Sequence, residues 1–523
     1  MRIEYAKQDF HGGRVLPAQR DHLKPTLIDW VEHHGWPDAL HLSLGQYFKD
    51  PATVTVGVGD RVLGHQALTV VDNDHQIPIH APTSGVINAR RHIGGHDCLV
   101  LKPDGAHTLH PPVNDAAQAS DWQQWPTELL IDRLRDRGLC GLGGARFPSA
   151  AKLRGPWPPP HTLILNGVEC EPGTACDHAL LREQALEVLH GGLILAKACG
   201  AKQLWLAIDD SEPALAQHLA EISEDADWLR EAASLSIEPR LMVLPARYPA
   251  GSERQLIQQL TGQQVPLRGL PQDLGLVTHN VGTAAAAQAL ITTGQPLTHR
   301  MVTLNAESSV RASHDSAWRR YRMPFGLPIQ TVLDTLGLSG VNVRIGGPLS
   351  GQTVTDLATP IHAGCHVLYL SPQRAEPEAM PCIQCSACVE VCPAQLMPQW
   401  LHRFLNQAGA SQQPFDEDSA RQLDACIACG LCDTVCPSQI PLTAQFRGGQ
   451  QQLAAQRQAE RQAALAKQRF EARQARLARE VAAREAKRQA RQARLQSAAT
   501  AQDEIAAALA RAQAKSAPNS DSQ

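Results

Sequence analysis

The sequence has few aromatic residues and no long apolar run. Phe, Trp and Tyr make up 4% of its 523 residues, and no stretch reaches the about 18 consecutive apolar residues of a membrane-spanning helix. The most apolar stretch, residues 188–208, is interrupted by one histidine and two lysines, which predicts a buried helix followed by a strand. The N-terminus carries charged side chains where a signal peptide needs an apolar core. We therefore expect neither a membrane span nor secretion.

Cysteine, by contrast, is abundant. Because we expect no export, the 14 cysteines do not predict a disulfide framework. Metal or redox chemistry is the better interpretation. Six cysteines are scattered, and for most of them we predict the role of a small buried hydrophobic residue. These six are Cys98, Cys140, Cys170, Cys176, Cys199 and Cys365.

Charge is unevenly distributed along the chain, whose formal net charge is −4. Residues 448–523 contain 14 Lys and Arg against 7 Asp and Glu, a local net charge of +7, which leaves −11 on residues 1–447. An acidic body with a basic tail indicates a partner surface.

Composition and periodicity divide the chain into six segments and predict a multidomain protein. Short runs separated by Gly and Pro turns, such as residues 54–60 and 77–87, indicate a small all-β barrel-sandwich module. Farther along, helical and strand patterns alternate, with a helix expected over residues 180–199 and a strand over residues 204–208, which is typical of a central α/β domain with a largely parallel sheet. The segments are a loop-like N-terminal stretch (1–37), the all-β module (38–105), the α/β domain (122–300), a mixed α/β segment (301–372), a cysteine-dense module (376–447) and a helical tail (448–523).

The strongest signal is a cysteine pattern that occurs twice. Residues 382–393 and 426–437 both read C-x2-C-x2-C-x3-C-P, the run of bacterial ferredoxins with two [4Fe–4S] clusters, whose fourth cysteine binds the other cluster. Two adjacent clusters predict one-electron transfer. The alternative is a pair of zinc sites, because C-x2-C is also zinc spacing, but two complete four-cysteine runs argue against it. The predicted ligand sets are Cys382, Cys385, Cys388 and Cys436 for one cluster and Cys426, Cys429, Cys432 and Cys392 for the other.

Three loops in the α/β domain carry the residue types of a ligand site. A glycine-rich loop at residues 141–148 is followed by Lys152, and dense glycines let backbone amides approach a phosphate or a planar ring. An Asn/Glu loop at residues 166–173 directly follows the strand predicted at residues 163–165, and α/β folds bind ligands where strands end. The third loop, residues 280–283, opens the apolar run of residues 284–291, and its Asn280 is a residue type that caps the start of a helix. One such loop is weak evidence, whereas three on one domain predict a site.

These loops resemble those of the FMN- and NADH-binding subunit of respiratory complex I, whose patterns are GxGGAGFP, NxxExEPG and NVxT. With the double-cluster module behind them, their order is similar to that of the RnfC/RsxC family, which belongs to the Rnf/Rsx electron transport complexes. The stretches 248–257 and 346–348 and the basic tail also match. The resemblance runs from about His11 to Arg447 and loosely through the tail, so it covers nearly the whole chain.

The resemblance implies a peripheral subunit on the cytoplasmic side of the inner membrane that exchanges electrons with NADH or a ferredoxin-type redox partner. Integral membrane subunits of the same complex would couple this electron flow to ion translocation. It also implies two [4Fe–4S] clusters and an FMN, which links hydride transfer to one-electron steps, with Phe147 near the nicotinamide. The residues implied to line the FMN are Gly141, Gly143, Gly144, Lys152, Asn166, Glu169, Glu171, Asn280 and Thr283.

Arg146 departs from the family pattern, which has glycine at this position. Its side chain would either crowd the flavin plane or contact the flavin phosphate or the nucleotide, and the sequence leaves both open. Two other functions therefore stay open as well: a soluble flavoprotein similar to cobalamin reductases, and a non-catalytic electron-carrying adaptor with a disabled flavin site.

The all-β module resembles a biotinyl/lipoyl-type barrel in the stretch of residues 81–87. A carrier domain needs a lysine at its hairpin tip, and this stretch has none. We therefore expect a structural or docking role for this module.

The tail has no Gly or Pro between residues 450 and 514 and few large apolar residues, which predicts a helix with a mostly solvated surface. Leu477 and Val481 continue a heptad that Arg488 breaks, so we do not expect a long coiled coil. The alternative is a +7 tether that rests on anionic lipid or an acidic partner. Nucleic acid is not an expected partner, since Phe470 is the only aromatic residue in the tail available for stacking.

Overall fold

In the computed structural model, a five-stranded sheet lies at the centre of residues 1–447, and every neighbouring pair of its strands is parallel. The strands are short aliphatic runs. Leu163, Ile164 and Leu165 are entirely excluded from solvent, as expected of a strand covered on both faces. In sheet order the strands are Arg2–Tyr5, Glu238–Leu244, Gln203–Asp209, Thr162–Asn166 and Leu276–Asn280.

The structure describes residues 1–6, 8–17, 23–45, 52–111, 121–155, 158–312, 317–374, 378–411 and 415–515. The chain forms two units, Met1–Arg447 and Gly448–Gln523.

Helices flank this sheet and bury its apolar side chains. Ala185–Cys199 packs against Val281–Thr293 in the largest apolar core, while Phe10 and Leu256 belong to a second core that includes Ile164 of the sheet. The helices of this domain are Thr127–Asp136, Ser149–Leu153, Cys176–Glu183, Ala185–Cys199, Pro213–Ile222, Ala226–Ser234, Glu253–Thr261 and Val281–Thr293, with a 3-10 turn at Pro271–Leu274.

A six-stranded mixed sheet shares one apolar core with the all-β module. Leu42 and Leu99 of the module belong to the same buried cluster as Val302 and Tyr321 of the sheet, so the two pack as one body. The mixed sheet runs Gln352–Thr353, Val341–Ile345, Val367–Pro372, His299–Ala306, Arg319–Pro324 and Lys24–Asp29, with helices Trp30–His34, Ser308–Arg311 and Ile329–Thr335. The module has one sheet of Leu40–Ser43, His96–Pro103, Gly85–Ile93 and Arg61–Val62, and one of Thr53–Val54 and Thr69–Val70.

Two details of the expected organisation are wrong. Residues 1–37, expected to be loop-like, supply edge strands to both large sheets, with Arg2–Tyr5 on the parallel sheet and Lys24–Asp29 on the mixed sheet. A short edge strand has a single neighbour and carries little of the alternation that marks a strand in sequence. The single helix expected over residues 180–199 is two helices that meet at Gln184.

The cysteine module consists of two loops with matching backbones. In each loop, residues at the same three places adopt left-handed conformations. Five of these six residues are not glycine, and this conformation costs such a residue roughly 1 kcal/mol. The sequence repeat is therefore also a repeat of backbone shape. The left-handed residues are Gln384, Ser386 and Gln395 in the first half and Ala428, Gly430 and Gln439 in the second. The helices of the module are Ala387–Glu390, Pro398–Ser411, Glu417–Ala425 and Leu431–Thr434.

The C-terminal tail is helical, as predicted. Leu442–Lys515 is one helix of 74 residues, and every residue from 458 to 515 is exposed. Residues 516–523 of the predicted tail lie outside the described residues. Within the part of the chain that the structure describes, none of the helices combines the length and the apolarity that crossing a bilayer requires.

Candidate functional site

A cavity of about 270 Å³ lies at the C-terminal ends of two adjacent parallel strands. The strands end at Asn166 and Asn280, and both asparagines line the cavity, at the sheet edge where open α/β folds bind ligands. Another part of its wall comes from the cysteine module, through Ile427 and Cys429. Of the residues predicted to line FMN, five line this cavity: Gly143, Asn166, Glu169, Glu171 and Asn280.

The glycine loop is held against the cavity by the start of a helix. The backbone N–H of Leu142 donates to Oγ1 of Thr283 over 2.9 Å. Asn280 caps the same helix, because its Oδ1 accepts from the backbone N–H of Gly282 over 2.9 Å. A Cβ on Gly143 would lie 3.2 Å from Cβ of Asn280, so a side chain here would crowd the asparagine. Glycine leaves this backbone open to the cavity.

Glu169 fixes the second loop with its carboxylate. It accepts from the backbone N–H groups of Asp177 (3.1 Å) and His178 (3.0 Å) in the first turn of a helix. Its own N–H donates to the carboxylate of Asp209 over 2.8 Å. Burial lowers the pKa of His178, but Asp209 and Glu212 outweigh burial and raise this pKa to about 9. His178 is therefore a buried cation at neutral pH.

Glu171 joins the cavity to the cysteine module through one loop, residues 346–351, the bridge loop. Oε1 of Glu171 accepts from the backbone N–H groups of Leu349 (3.0 Å) and Ser350 (2.7 Å). Arg447 of the cysteine module donates to the carbonyl oxygen of Ser350 over 2.5 Å. A glutamate predicted to line FMN thus also holds two parts of the molecule together.

The other predicted FMN residues lie outside the cavity lining. Lys152 donates from Nζ to the carbonyl oxygen of Thr278 over 2.6 Å and lies 3.5 Å from the carboxylate of Glu253. Thr283 supports the glycine loop from within the core. The five residues outside the lining are Gly141, Gly144, Phe147, Lys152 and Thr283.

Arg146 packs on another side of the glycine loop and does not belong to the cavity lining. Its φ of 56° is the left-handed conformation that glycine adopts without strain. The side chain packs against Gly364, and after burial its charge is the next cause that lowers the pKa of His362 and of His96. The side chain of Arg146 therefore does not crowd the 270 Å³ cavity.

The lining also includes residues that were not predicted, among them Asp177, Tyr248, Ser350 and His366. The side chain of Tyr248, which is 4% exposed, donates from Oη to the carbonyl oxygen of Cys429 over 2.6 Å. One phenol thus contacts both the cavity and a cysteine loop. Two of these residues could have been found from the sequence, because Tyr248 lies in a stretch that matches the family and Asp177 closely follows the Asn/Glu loop. No sequence feature pointed to Ser350 or His366.

A second cavity, of about 290 Å³, adjoins the first. Leu142, Cys176, Asp177 and Asn280 line both. Each volume lies just below the roughly 300–1,000 Å³ of ligand and cofactor sites, and the two cavities adjoin. With the open backbone of Gly143 and the strand-end amides, the residues present fit an FMN.

Four cysteines from both halves of the module meet around one small cavity, the inner thiol site. Ile427 and Cys429 line this cavity and the 270 Å³ cavity alike. Burial raises the pKa of Cys426 to about 11 and that of Cys429 to about 12. The inner thiol site comprises Cys392, Cys426, Cys429 and Cys432.

The remaining four cysteines of the module line a separate cavity, the outer thiol site. Cys385 is exposed, and its neighbours Ile383 and Met380 are 66% and 62% exposed. Within the described residues, no three His, Cys, Asp or Glu side chains are arranged to hold a single metal ion. Four thiols around a cavity are the donor set of a cubane, so both sites fit one. The outer thiol site comprises Cys382, Cys385, Cys388 and Cys436.

Family models match three parts of the chain. The RnfC barrel sandwich hybrid domain matches residues 8–106, the Nuo51 FMN-binding domain matches residues 134–289, and the 4Fe-4S dicluster domain matches residues 378–440. The dicluster match decides between clusters and zinc in favour of clusters. The 270 Å³ cavity draws most of its lining from the matched FMN-binding domain and is called the flavin cavity below.

Three curated relatives align with 97% of the chain, and each is named as the C subunit of an ion-translocating oxidoreductase complex. The protein of Klebsiella pneumoniae is 37% identical, and those of Salmonella dublin and Salmonella gallinarum are 38% identical. The chain spans 65%, 70% and 73% of their respective lengths. The chain belongs to this family, the RnfC family.

As a member of the RnfC family, the chain combines a barrel-sandwich module, an FMN-binding domain and a two-cluster domain with a long C-terminal helix. The predicted family and cofactors are thereby confirmed. Among solved structures, an NAD+-reducing [NiFe]-hydrogenase in the H2-reduced state matches with a TM-score of 0.45 and 20% identity, covering 64% of this chain and 67% of that chain. A likeness of this size carries no argument about the fold or the activity.

Proposed function

We propose that the chain carries electrons between a nicotinamide nucleotide at the flavin cavity and membrane-embedded subunits of an ion-translocating complex. In this proposal electrons pass from the flavin cavity to the inner thiol site and then to the outer thiol site. The observation that carries the proposal is the shared wall: Ile427 and Cys429 line both the flavin cavity and the inner thiol site.

Gly143, Asn166 and Asn280 are the residues that we propose to hold FMN, because Gly143 presents open backbone to the cavity and the two asparagines line it at the ends of their strands. Bound there, FMN supplies the exchange between hydride transfer and single-electron transfer. Glu171 and Tyr248 close the side toward the cysteine module. The other predicted FMN residues support the glycine loop in this proposal, and Phe147 remains the proposed neighbour of the nicotinamide.

Each thiol site holds one [4Fe–4S] cluster in this proposal, with the ligand sets that the spacing predicts. The cavities support that grouping, because each is lined by three cysteines of one run and the fourth cysteine of the other. Outer-shell hydrogen bonds tune such sites, and Tyr248 supplies one to the backbone of Cys429.

The outer thiol site is the proposed contact with a redox partner. Electron transfer slows steeply with distance, so a partner must approach closely. Cys385 is exposed there beside Ile383 and Met380. The proposed partners are integral subunits of the complex or a ferredoxin-type protein.

We further propose a peripheral position on the cytoplasmic side of the inner membrane. The relatives are named for ion translocation, and the +7 tail suits an anionic leaflet, where each basic residue contributes about 1 kcal/mol near the surface. Deleting residues 448–523 tests this part. We expect the protein to shift from the membrane fraction to the supernatant, and unchanged membrane association would contradict a tethering tail.

The main test is an anaerobic absorbance spectrum of the full chain loaded with iron, sulfide and FMN, before and after NADH. We expect NADH to bleach the flavin and cluster bands together. Dithionite serves as the control, because it reduces clusters without a nucleotide site. If dithionite bleaches the clusters and NADH leaves them unchanged, the nucleotide part of the proposal is refuted.

A further inference from the structure

We propose that Asp177 accepts and releases the proton that electron transfer leaves at the flavin cavity, an inference that rests on the proposed function. Oxidation of NADH gives NAD+, two electrons and one proton. The thiol sites carry away only the electrons. One proton for every hydride must therefore leave the flavin cavity, or enter it when electrons run the other way.

Asp177 lies where the two cavities meet. It lines both, together with Leu142, Cys176 and Asn280, and it is the carboxylic acid among these four. The second cavity continues to the exposed residues Thr293, Gln295 and Arg322. The carboxyl group of Asp177 thus stands between the flavin cavity and a path to solvent.

The contacts of Asp177 leave its carboxylate available. Among the described residues, three carboxylates line the flavin cavity, those of Glu169, Glu171 and Asp177. The carboxylates of the two glutamates are engaged by hydrogen bonds from backbone amides. Asp177 Oδ2 instead accepts from Nδ2 of Asn280 over 2.7 Å. This bond links the acid to a residue that we propose to hold FMN.

The surrounding charges suit proton transfer near neutral pH. Burial, followed by the negative charge of Glu169, raises the pKa of Asp177 to about 7. The hydrogen bond from Asn280 and the positive charges of His178 and Arg300 oppose this rise. Arg300 is itself committed to the carbonyl oxygens of residues 142, 301 and 363. An acid whose pKa lies near the working pH is effective as a general acid or base.

The test compares Asp177→Asn with a matched control in the full chain loaded with FMN, iron and sulfide. Asp227→Asn makes the same change at the same place in another helix, the second residue of Ala226–Ser234, where the aspartate is exposed. Both changes remove a negative charge from a helix start, so the control isolates the position at the cavity. The readouts are FMN binding by fluorescence quenching, NADH-driven cluster reduction from pH 6 to 9, and the reduced-minus-oxidised infrared difference spectrum.

We expect Asp177→Asn to bind FMN and to slow cluster reduction on the order of 10²-fold, the usual contribution of a general acid or base. Its infrared difference spectrum should lose a C=O band of a protonated carboxyl group that the unmodified protein and the control both show. Equal rates and bands in the two variants, with FMN bound in both, would overturn this inference alone.

Failure of all three proteins to bind FMN would instead refute the proposed function, and this inference with it. If Asp177→Asn does not fold, the infrared spectrum of the unmodified protein decides by itself. A carboxyl band whose amplitude falls as pH rises through about 7 supports the role of Asp177, and its absence overturns that role.

Discussion

The two thiol sites have the same cysteine spacing and the same left-handed backbone positions, but they differ in what surrounds them. In the outer loop, residues 383–386 are all exposed, whereas in the inner loop residues 427–429 are partly buried and Gly430 is fully buried. The inner loop shares a wall with the flavin cavity. One motif has therefore been placed in two environments, one facing the flavin domain and one facing outward.

The bridge loop accounts for much of this difference. A Cβ on Gly430 would lie 2.5 Å from the carbonyl oxygen of Leu349, so the bridge loop packs directly on the inner cysteine loop. Ser386 holds the equivalent place in the outer loop, where it is exposed. In the proposed function, the order of the two sites in electron transfer therefore follows from the neighbours of each loop and not from the cysteine motif, which both share.

The largest expected effect is on the reduction of the clusters by NADH when one cysteine of either thiol site is replaced. Cys429→Ser removes a proposed ligand of the inner site, so NADH should no longer reduce either cluster, because the outer cluster is then isolated from the flavin cavity. Cys385→Ser removes a proposed ligand of the outer site and should leave reduction of the inner cluster intact. Stopped-flow absorbance with an iron assay measures both. Full reduction of the outer cluster by NADH in Cys429→Ser would show that electrons reach the outer cluster without the inner one.

Iron removal should also distinguish the sites. A chelator added under reducing conditions reaches the exposed loop of residues 383–386 directly, whereas the inner loop is partly buried and packs on the bridge loop, so access to it requires more local opening. We expect the outer cluster to be lost at least several-fold faster, measured by cluster absorbance and electron paramagnetic resonance over time. Loss of both clusters at one rate would show that the burial difference has no consequence.

A backbone substitution tests the bridge loop. Gly430 has a φ of 82°, and a Cβ at this position would clash with the carbonyl oxygen of Leu349. We therefore expect Gly430→Ala to lower the free energy of unfolding by about 1–3 kcal/mol. Ser386→Ala is the matched change at the equivalent outer position and should stay within about 0.5 kcal/mol. Chemical denaturation of the cluster-loaded chain measures both. Equal losses would mean that the bridge loop does not constrain the inner loop.

The smallest expected effect concerns a single hydroxyl group. Tyr248→Phe removes the hydrogen bond to the carbonyl oxygen of Cys429, a loss of about 1 kcal/mol, and should shift the reduction potential of the inner cluster while leaving the outer one unchanged. Tyr321→Phe is the control, since its hydroxyl donates to the carbonyl oxygen of Ala317 in the mixed sheet. A redox titration followed by electron paramagnetic resonance tests this. An unchanged reduction potential of the inner cluster would show that the hydroxyl group of Tyr248 does not tune the cluster.

Much of this architecture could be predicted from local sequence signals. Cysteine spacing predicts the grouping of Cys392 with Cys426, Cys429 and Cys432 around one cavity, because in two-cluster ferredoxins the fourth cysteine of each run binds the other cluster. The ends of the strands likewise place Asn166 and Asn280 together. Each of these features is marked by a local pattern, a cysteine run or a polar residue at the end of an apolar run, although the groups that meet are far apart in the chain.

The rest depends on contacts between distant parts of the chain, which leave no periodic signal. Edge strands such as Arg2–Tyr5 are short and pair far along the sequence. Likewise, Ser350 reaches the flavin cavity through its bond to Glu171. Arg146 is the clearest case, because the sequence leaves open whether its side chain crowds the flavin plane or contacts the phosphate or the nucleotide, and in the structure it packs against Gly364.

Rapid freezing gives the most direct test of the proposed order of electron transfer. The full chain, loaded with FMN, iron and sulfide, is mixed anaerobically with NADH, frozen at increasing times and examined by electron paramagnetic resonance. Spectra of Cys385→Ser and Cys429→Ser, each reduced with dithionite, identify the two clusters. We expect the signal of the inner cluster to rise first and that of the outer cluster to follow. An outer signal that appears first, with the inner cluster still oxidised, would contradict it.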